Sequence, residues 1–182
     1  MCSSDLLEID RYRGLDALKS FALKDSSSIS DSSPGELAAD VSAIKWLNEN
    51  VDGQPVVLES FGDSYTDYGR ISAFTGMPTI IGWQTHEWLW RTSEENPDAF
   101  TSVVVPRQQA VRDIYTTDDQ QLRLDLIKEY SVEYIVIGQL EREKFSTISE
   151  DDRTISLIRE DLISKLGEKV FNQGYFSIYR IN

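Results

Sequence analysis

The chain has 182 residues, 40% of them apolar and 27% charged, enough for one globular domain with a real core and too few for two large ones. Its 18 Lys and Arg stand against 31 Asp and Glu, a formal net charge of -13, so nucleic acid is excluded as a partner and an anionic lipid surface would be repelled. Cys2 has no partner for an internal disulfide, and His86 alone cannot supply a Cys/His zinc cluster.

No run approaches the roughly 18 to 20 apolar residues of a membrane helix, and the first residues lack the basic start and apolar core of a signal peptide. The chain as it stands is expected to be soluble. Residues 1–33 are read as a leader segment and a serine-rich loop, with a single α/β domain over residues 34–182. The leader carries Leu6, Leu7, Ile9, Leu15, Leu18 and Phe21, enough to dock but not to fold alone. The loop Ser26-Ser27-Ser28-Ile29-Ser30-Asp31-Ser32-Ser33 cannot bury enough apolar surface to offset its ordering entropy.

Ser33-Pro34-Gly35-Glu36 predicts a helix start, with a Ser cap, Pro at the first position and Glu closing a capping box. Leu37, Val41, Ile44, Leu47 and Val51 then share one face, and Asp52-Gly53-Gln54-Pro55 ends the element. Pro55-Val56-Val57-Leu58-Glu59 reads as a central parallel strand covered on both faces. A helix is expected from the Gly62-Asp63-Ser64 turn through Tyr68, Ile71 and Phe74 to a stop at Gly76, followed by a strand at Thr79-Ile80-Ile81-Gly82. Further helices are expected from near Pro106 and from a Thr117-Asp118 cap, then a buried strand from Glu133 to Gly138. A helix through Ile155, Ile158, Leu162 and Leu166 and a hairpin from Lys169 to Ile181 around Gln173-Gly174 complete the chain. The fold class is α/β: three layers, a mostly parallel sheet with helices on both faces, and a C-terminal antiparallel hairpin.

In such sheets ligands sit outside the carboxyl ends of the strands, here the loops after Glu59, Gly82 and Gly138. The first holds Asp63, Tyr65, Asp67, Tyr68 and Arg70; the second holds Trp83, His86, Glu87, Trp88, Trp90 and Arg91; the third brings Glu141 and Arg142. Aromatic faces beside Glu, His and Arg suit a sugar or a cation, because a ring stacks while polar groups fix orientation. The bland alternatives are a simple helix cap at Asp63 or Ser64, core packing for the tryptophans and a solvated charge cluster in the third loop. His86-Glu87 lacks the second His of a zinc helix, and the glycines match neither a dinucleotide nor a phosphate loop. Ser64, His86 and Asp67 could be assembled into a triad on paper, but no nucleophile elbow supports it.

Several stretches together carry a resemblance: Ala43 to Val51, Gly62 to Gly76, Gly82-Trp83 with His86-Glu87-Trp88, Ile114 to Asp118, and Leu140-Glu141-Arg142. On these the sequence resembles the C-terminal soluble domain of the YYY family of bacterial and archaeal multi-pass membrane proteins. The resemblance implies a membrane-embedded N-terminal portion similar to the GT-C glycosyltransferases, which use lipid-linked sugar donors, and an extracytoplasmic C-terminal domain. Asp67-Tyr68-Gly69 with Met77-Pro78-Thr79 also resembles the acceptor-recognition segment of oligosaccharyltransferases, although Ser64, Tyr65 and Thr66 stand where that motif has tryptophan. It implies no catalytic residue, cofactor or metal in this domain. What it implies is a binding role for the named residues of the first two loops toward a glycan or lipid-linked sugar, with the protein's own membrane portion as partner; Glu141 and Arg142 are candidates by their predicted position. The other reading is a non-enzymatic docking module whose aromatic loop packs on that portion or on another subunit. An independent hydrolase using His86 with a carboxylate is the least favoured.

Overall fold

The computed structural model describes residues 34–182, so the leader, the serine-rich loop and the Ser33 cap lie outside the described residues, as do the side chains of Glu36 and Leu37. Helix α1 spans Pro34–Asn50; proline suits a first turn whose N–H has no helical acceptor. Val41, Ile44 and Leu47 are buried along one face, with Val51 packed partly buried beside them. The chain turns through Gly53, at φ 79°, into strand β1, Val56–Leu58.

The helix expected after Gly62 is much shorter. Residues 64–69 form turns, and α2 covers only Arg70–Thr75. Tyr65 at φ 64° and Gly69 at φ 81° hold left-handed backbone, which cannot continue a right-handed helix. The stop at Gly76 is as expected, its N–H bonding the Ser72 carbonyl at φ 74°. The strand expected at Thr79-Ile80-Ile81-Gly82 is also corrected: the segment runs beside β1 without a regular ladder. It is tied there by Val57 N–H to Pro78 O, 2.9 Å, by a parallel bridge between Gly62 and Trp83, and by Gln84 N–H to Gly62 O, 3.1 Å. Pro78 has no N–H to extend a ladder, while Ile80 and Ile81 are buried in the core.

Helix α3 is Gln84–Arg91, and a π-helical turn at Phe100–Val104 leads into α4, Val105–Thr116. Helix α5, Gln120–Glu129, is capped by Asp119, whose carboxylate accepts from the N–H groups of Gln121 and Leu122, one residue beyond the expected cap. Strand β2, Val132–Ile137, and α6, Gln139–Lys144, follow. Next, β3 (Ser146–Ile148) and β4 (Thr154–Ser156) pair as a separate small hairpin, and α7 is only Glu160–Ile163. The helix expected through Ile155 is therefore corrected: Ile155 sits in β4 opposite Thr147, in a β-branched pair that favours a pleated surface. Strands β5 (Gly167–Gln173) and β6 (Phe176–Ile181) form the expected hairpin about Gly174, at φ 57°.

The main sheet has the order β1-β2-β6-β5. Only β1 and β2 are parallel; β2 with β6 and β6 with β5 are antiparallel. The α/β class and the C-terminal antiparallel pair stand, but the mostly parallel sheet is corrected to a mixed one. The hairpin is no appendage, because β6 pairs directly with β2 and buries Phe176, Ser177, Ile178 and Tyr179 in succession. Alternate residues feed two cores. Leu58, Ile135, Ile137 and Tyr179 pack with Val111, Ile114 and Ile127 of α4 and α5, while Val57, Tyr134, Val136 and Ile178 pack with Ile44, Leu47 and Ile71 of α1 and α2. Each such fully buried side chain contributes about 1.5–3 kcal/mol, so helices cover both faces of the sheet. The parallel pairing of β1 and β2 brings their carboxyl ends to one edge, where the Tyr115 hydroxyl reaches Val136 O at 2.7 Å and Leu58 O at 3.2 Å.

Candidate functional site

Under the strand-end loops lies a buried ion cluster built from four elements. The Arg70 guanidinium, at the start of α2, donates to both Glu141 oxygens at 3.1 and 2.9 Å and to Asp40 of α1, and stands 3.9 Å from Glu59. Glu59, directly after β1, accepts from the N–H groups of Ile71 and Ser72 at 2.9 and 2.8 Å. It thus caps α2 from a distance, since Gly69 has no side chain to do so. Glu141 accepts from Ser60 N–H (3.1 Å), Ser60 Oγ (2.8 Å) and Gly138 N–H (2.9 Å), joining the ends of β1 and β2.

These carboxylates respond differently to burial. Loss of solvent raises the pKa of Asp40 and Glu59 despite the pull of Arg70. Burial acts on Glu141 in the same sense, but the Arg70 charge and the hydrogen bonds from Arg70 and Ser60 outweigh it and leave that carboxyl at about 2. Arg70 is held well above its ordinary value: Asp40 and Glu141 overcome its own desolvation.

Above this foundation four rings from two loops meet. Tyr65 lies 5.5 Å from Trp83 and 5.4 Å, edge-on, from His86; Trp83 is 5.3 Å from His86; and Trp90 stacks on His86 at 5.1 Å with an interplanar angle of 19°. Trp83 is held by its indole N–H, which donates to Tyr68 O at 2.7 Å. His86 and Trp90 are one helical turn apart on α3, which brings their rings together. Tyr65 is 84% exposed and Trp90 81%, and no residue of α3 is buried. The helix thus contributes no buried residue to the core while presenting Trp88, Leu89 and Trp90 to solvent, an exposed apolar patch of the kind that binding surfaces use.

Polar groups border the rings. Asp63 accepts from the Gln84 amide, whose oxygen accepts from Gln108 at 2.6 Å, and Arg91 donates to Glu87 at 2.5 Å. The Lys144 ammonium lies over Phe61 at 4.6 Å and over Tyr68 at 5.4 Å; burial lowers its pKa, opposed by the nearby charge of Asp63.

The loops after Glu59 and Gly82 therefore converge as expected, bringing Asp63, Tyr65, Trp83, His86, Glu87, Trp90 and Arg91 into one neighbourhood. Trp88 turns aside to meet Phe100 edge-on at 5.8 Å. Tyr68 is half-buried against Gly62, and Asp67 lies in the turn before it. Arg70 and Glu141 are interior, so they support the surface and face no solvent. Arg142 leaves the site to pair with Glu160 at 2.8 Å. Asp40 and Glu59 were not singled out from sequence; the available signal was a carboxylate three residues after Leu37 and four before Ile44, inside an apolar stripe, and another abutting a fully apolar strand. Ser64 Oγ makes no hydrogen bond, so the link a Ser-His-Asp triad needs is not formed. Among the described residues no group of three or more His, Cys, Asp and Glu is placed to hold a metal, and no helix is long and apolar enough to cross a membrane.

No family model matches the chain, so membership of the YYY family is not supported, and no curated protein matches it. Among solved structures it is similar to the C-terminal globular domain of an oligosaccharyltransferase from Archaeoglobus fulgidus, with a TM-score of 0.44 and 9% identity, covering 78% of this chain and 95% of that one. At that identity no residue role transfers between the two chains.

Proposed function

We propose that this domain recognises a carbohydrate, as a free glycan or a lipid-linked sugar, on the surface formed by Tyr65, Trp83, His86 and Trp90. In this reading it serves the extracytoplasmic side of a GT-C-like membrane protein and contributes recognition rather than catalysis. The observation that carries the binding role is the ring cluster itself: Tyr65 and Trp90 flank His86 at 5.4 and 5.1 Å with their faces open, and Asp63, Gln84, Glu87 and Arg91 stand beside them. Sugars present an apolar ring face and a rim of hydroxyls, which suits such a pairing of aromatic and polar groups.

The test is a screen of oligosaccharides and polyprenyl-phosphate sugars against the chain, read from the four tryptophan indole NMR signals. Trp46 packs on Phe171 at 5.9 Å, against the α1 core, and is the internal control. Shifts at Trp83 and Trp90 with Trp46 silent are expected for a ligand on the rings. If every carbohydrate leaves all four signals unmoved, the reading fails. A second reading, a docking module, is favoured by Leu89, 57% exposed, and by the exposed Trp88 and Phe100 beside it. In that case Leu89→Ala weakens association with the membrane portion while Trp90→Ala does not.

A further inference from the structure

We infer that the carbohydrate bound here carries a free amine, so that the ring surface receives an ammonium as well as a sugar face; this rests on the carbohydrate reading above. The first ground is the rings. A cation is attracted to an aromatic face within about 6 Å of its centroid, and most strongly to tryptophan; Trp90 and Tyr65 offer open faces on either side of His86. The protein already seats one ammonium in this way nearby, Lys144 over Phe61 and Tyr68.

The second ground is the charge around them. Asp63 and Glu87 border the rings, Glu94, Glu95 and Asp98 follow in the turn after α3, and the chain carries -13 overall. Arg91 and Glu87 neutralise one another at 2.5 Å, Lys144 lies over its two rings, and Arg70 is buried among three carboxylates. The acidic excess therefore comes from Asp63, Glu94, Glu95 and Asp98 and from the overall charge, which disfavours a sugar bearing a carboxylate or phosphate and favours an amine over the open rings.

The experiment compares a β-linked glucosamine tetramer with its fully N-acetylated counterpart, titrated into the 182-residue chain at a pH where the amine is protonated. A cation–π contribution of about 0.5–2 kcal/mol corresponds to about 2- to 30-fold tighter binding of the amine form. The preference should shrink as salt is raised and should narrow in Glu87→Gln. Equal or tighter binding of the N-acetylated tetramer overturns the amine inference and leaves the carbohydrate reading standing. A tetralysine peptide that binds as tightly as the amino-sugar tetramer also overturns it, because charge alone would then suffice. Failure of every sugar removes the carbohydrate reading and this inference with it.

Discussion

Replacing Arg70 by methionine removes the one cation that Asp40, Glu59 and Glu141 face while keeping an unbranched apolar side chain in the space. The side chains of all three acids are at most 3% exposed, so none can recover solvent in place of the guanidinium. Breaking a buried ion pair by removing one partner costs about 3–5 kcal/mol, a large share of the roughly 5–15 kcal/mol that a domain holds in total. For a domain of this size that corresponds to a fall in Tm of about 6–20 °C. The sign with pH is a sharper test. In the parent protein Glu141, held at about 2 against an ordinary 4.5, contributes stability that is full above 4.5 and is lost as pH falls toward 2. Asp40 and Glu59 are raised, so their ionisation costs stability as pH rises, and acid relieves it. Without Arg70 all three become buried acids lacking a cation, and protonation relieves the variant more than the parent. Urea denaturation at about pH 7 and near pH 4 should therefore show the gap between the two proteins shrinking in acid. A loss under about 1 kcal/mol at neutral pH, or the same loss at both, would refute the assignment of Arg70 as the charge that holds the strand-end loops.

Tyr115→Phe deletes a buried hydroxyl that reaches carbonyls of both β1 and β2, and is expected to cost about 1–3 kcal/mol by chemical denaturation; no change would mean the strand ends are held by the ion cluster alone. At Gly138 an added Cβ would lie 2.6 Å from the Phe176 ring and 3.0 Å from Arg70 Nη2. Gly138→Ala should accordingly lower stability by about 1–3 kcal/mol through overpacking, and a stable variant would show that the loop after β2 can move. Tyr65→Ala and Trp90→Ala remove side chains 84% and 81% exposed, so thermal unfolding should shift by no more than about 0.5 kcal/mol. Carbohydrate binding should fall sharply in the same two variants; a large stability loss instead would make the rings structural.

Much of the fold was legible because its signals are local. The apolar spacing of Val41, Ile44 and Leu47 marked the buried face of α1, the run Val56 to Leu58 marked β1, and Gly76 and Gly174 marked a helix stop and a hairpin turn. The aromatic loop was legible as well, since three tryptophans and the lone histidine fall within ten residues and the strand-end rule brought Tyr65 near them. Where reading failed, a local preference was overridden. The helical spacing of Ile155, Ile158 and Leu162 gave way to cross-strand pairing, and residues 64–69 were bent by left-handed backbone at Tyr65 and Gly69.

What the sequence by itself determined, then, is the α/β class, the elements whose period and turn residues are unambiguous, and the composition of the aromatic surface. Tertiary structure alone decided that β6 lies against β2, which makes the sheet mixed, and that Arg70 and Glu141 lie in the interior rather than on the exposed aromatic face. The bonds responsible join residues 30, 71 and 81 positions apart, as in Arg70 with Asp40, Arg70 with Glu141 and Ser60 with Glu141. Periodicity and turn chemistry act over a few residues. A buried charge chooses its partners only once the chain path has removed water from all of them.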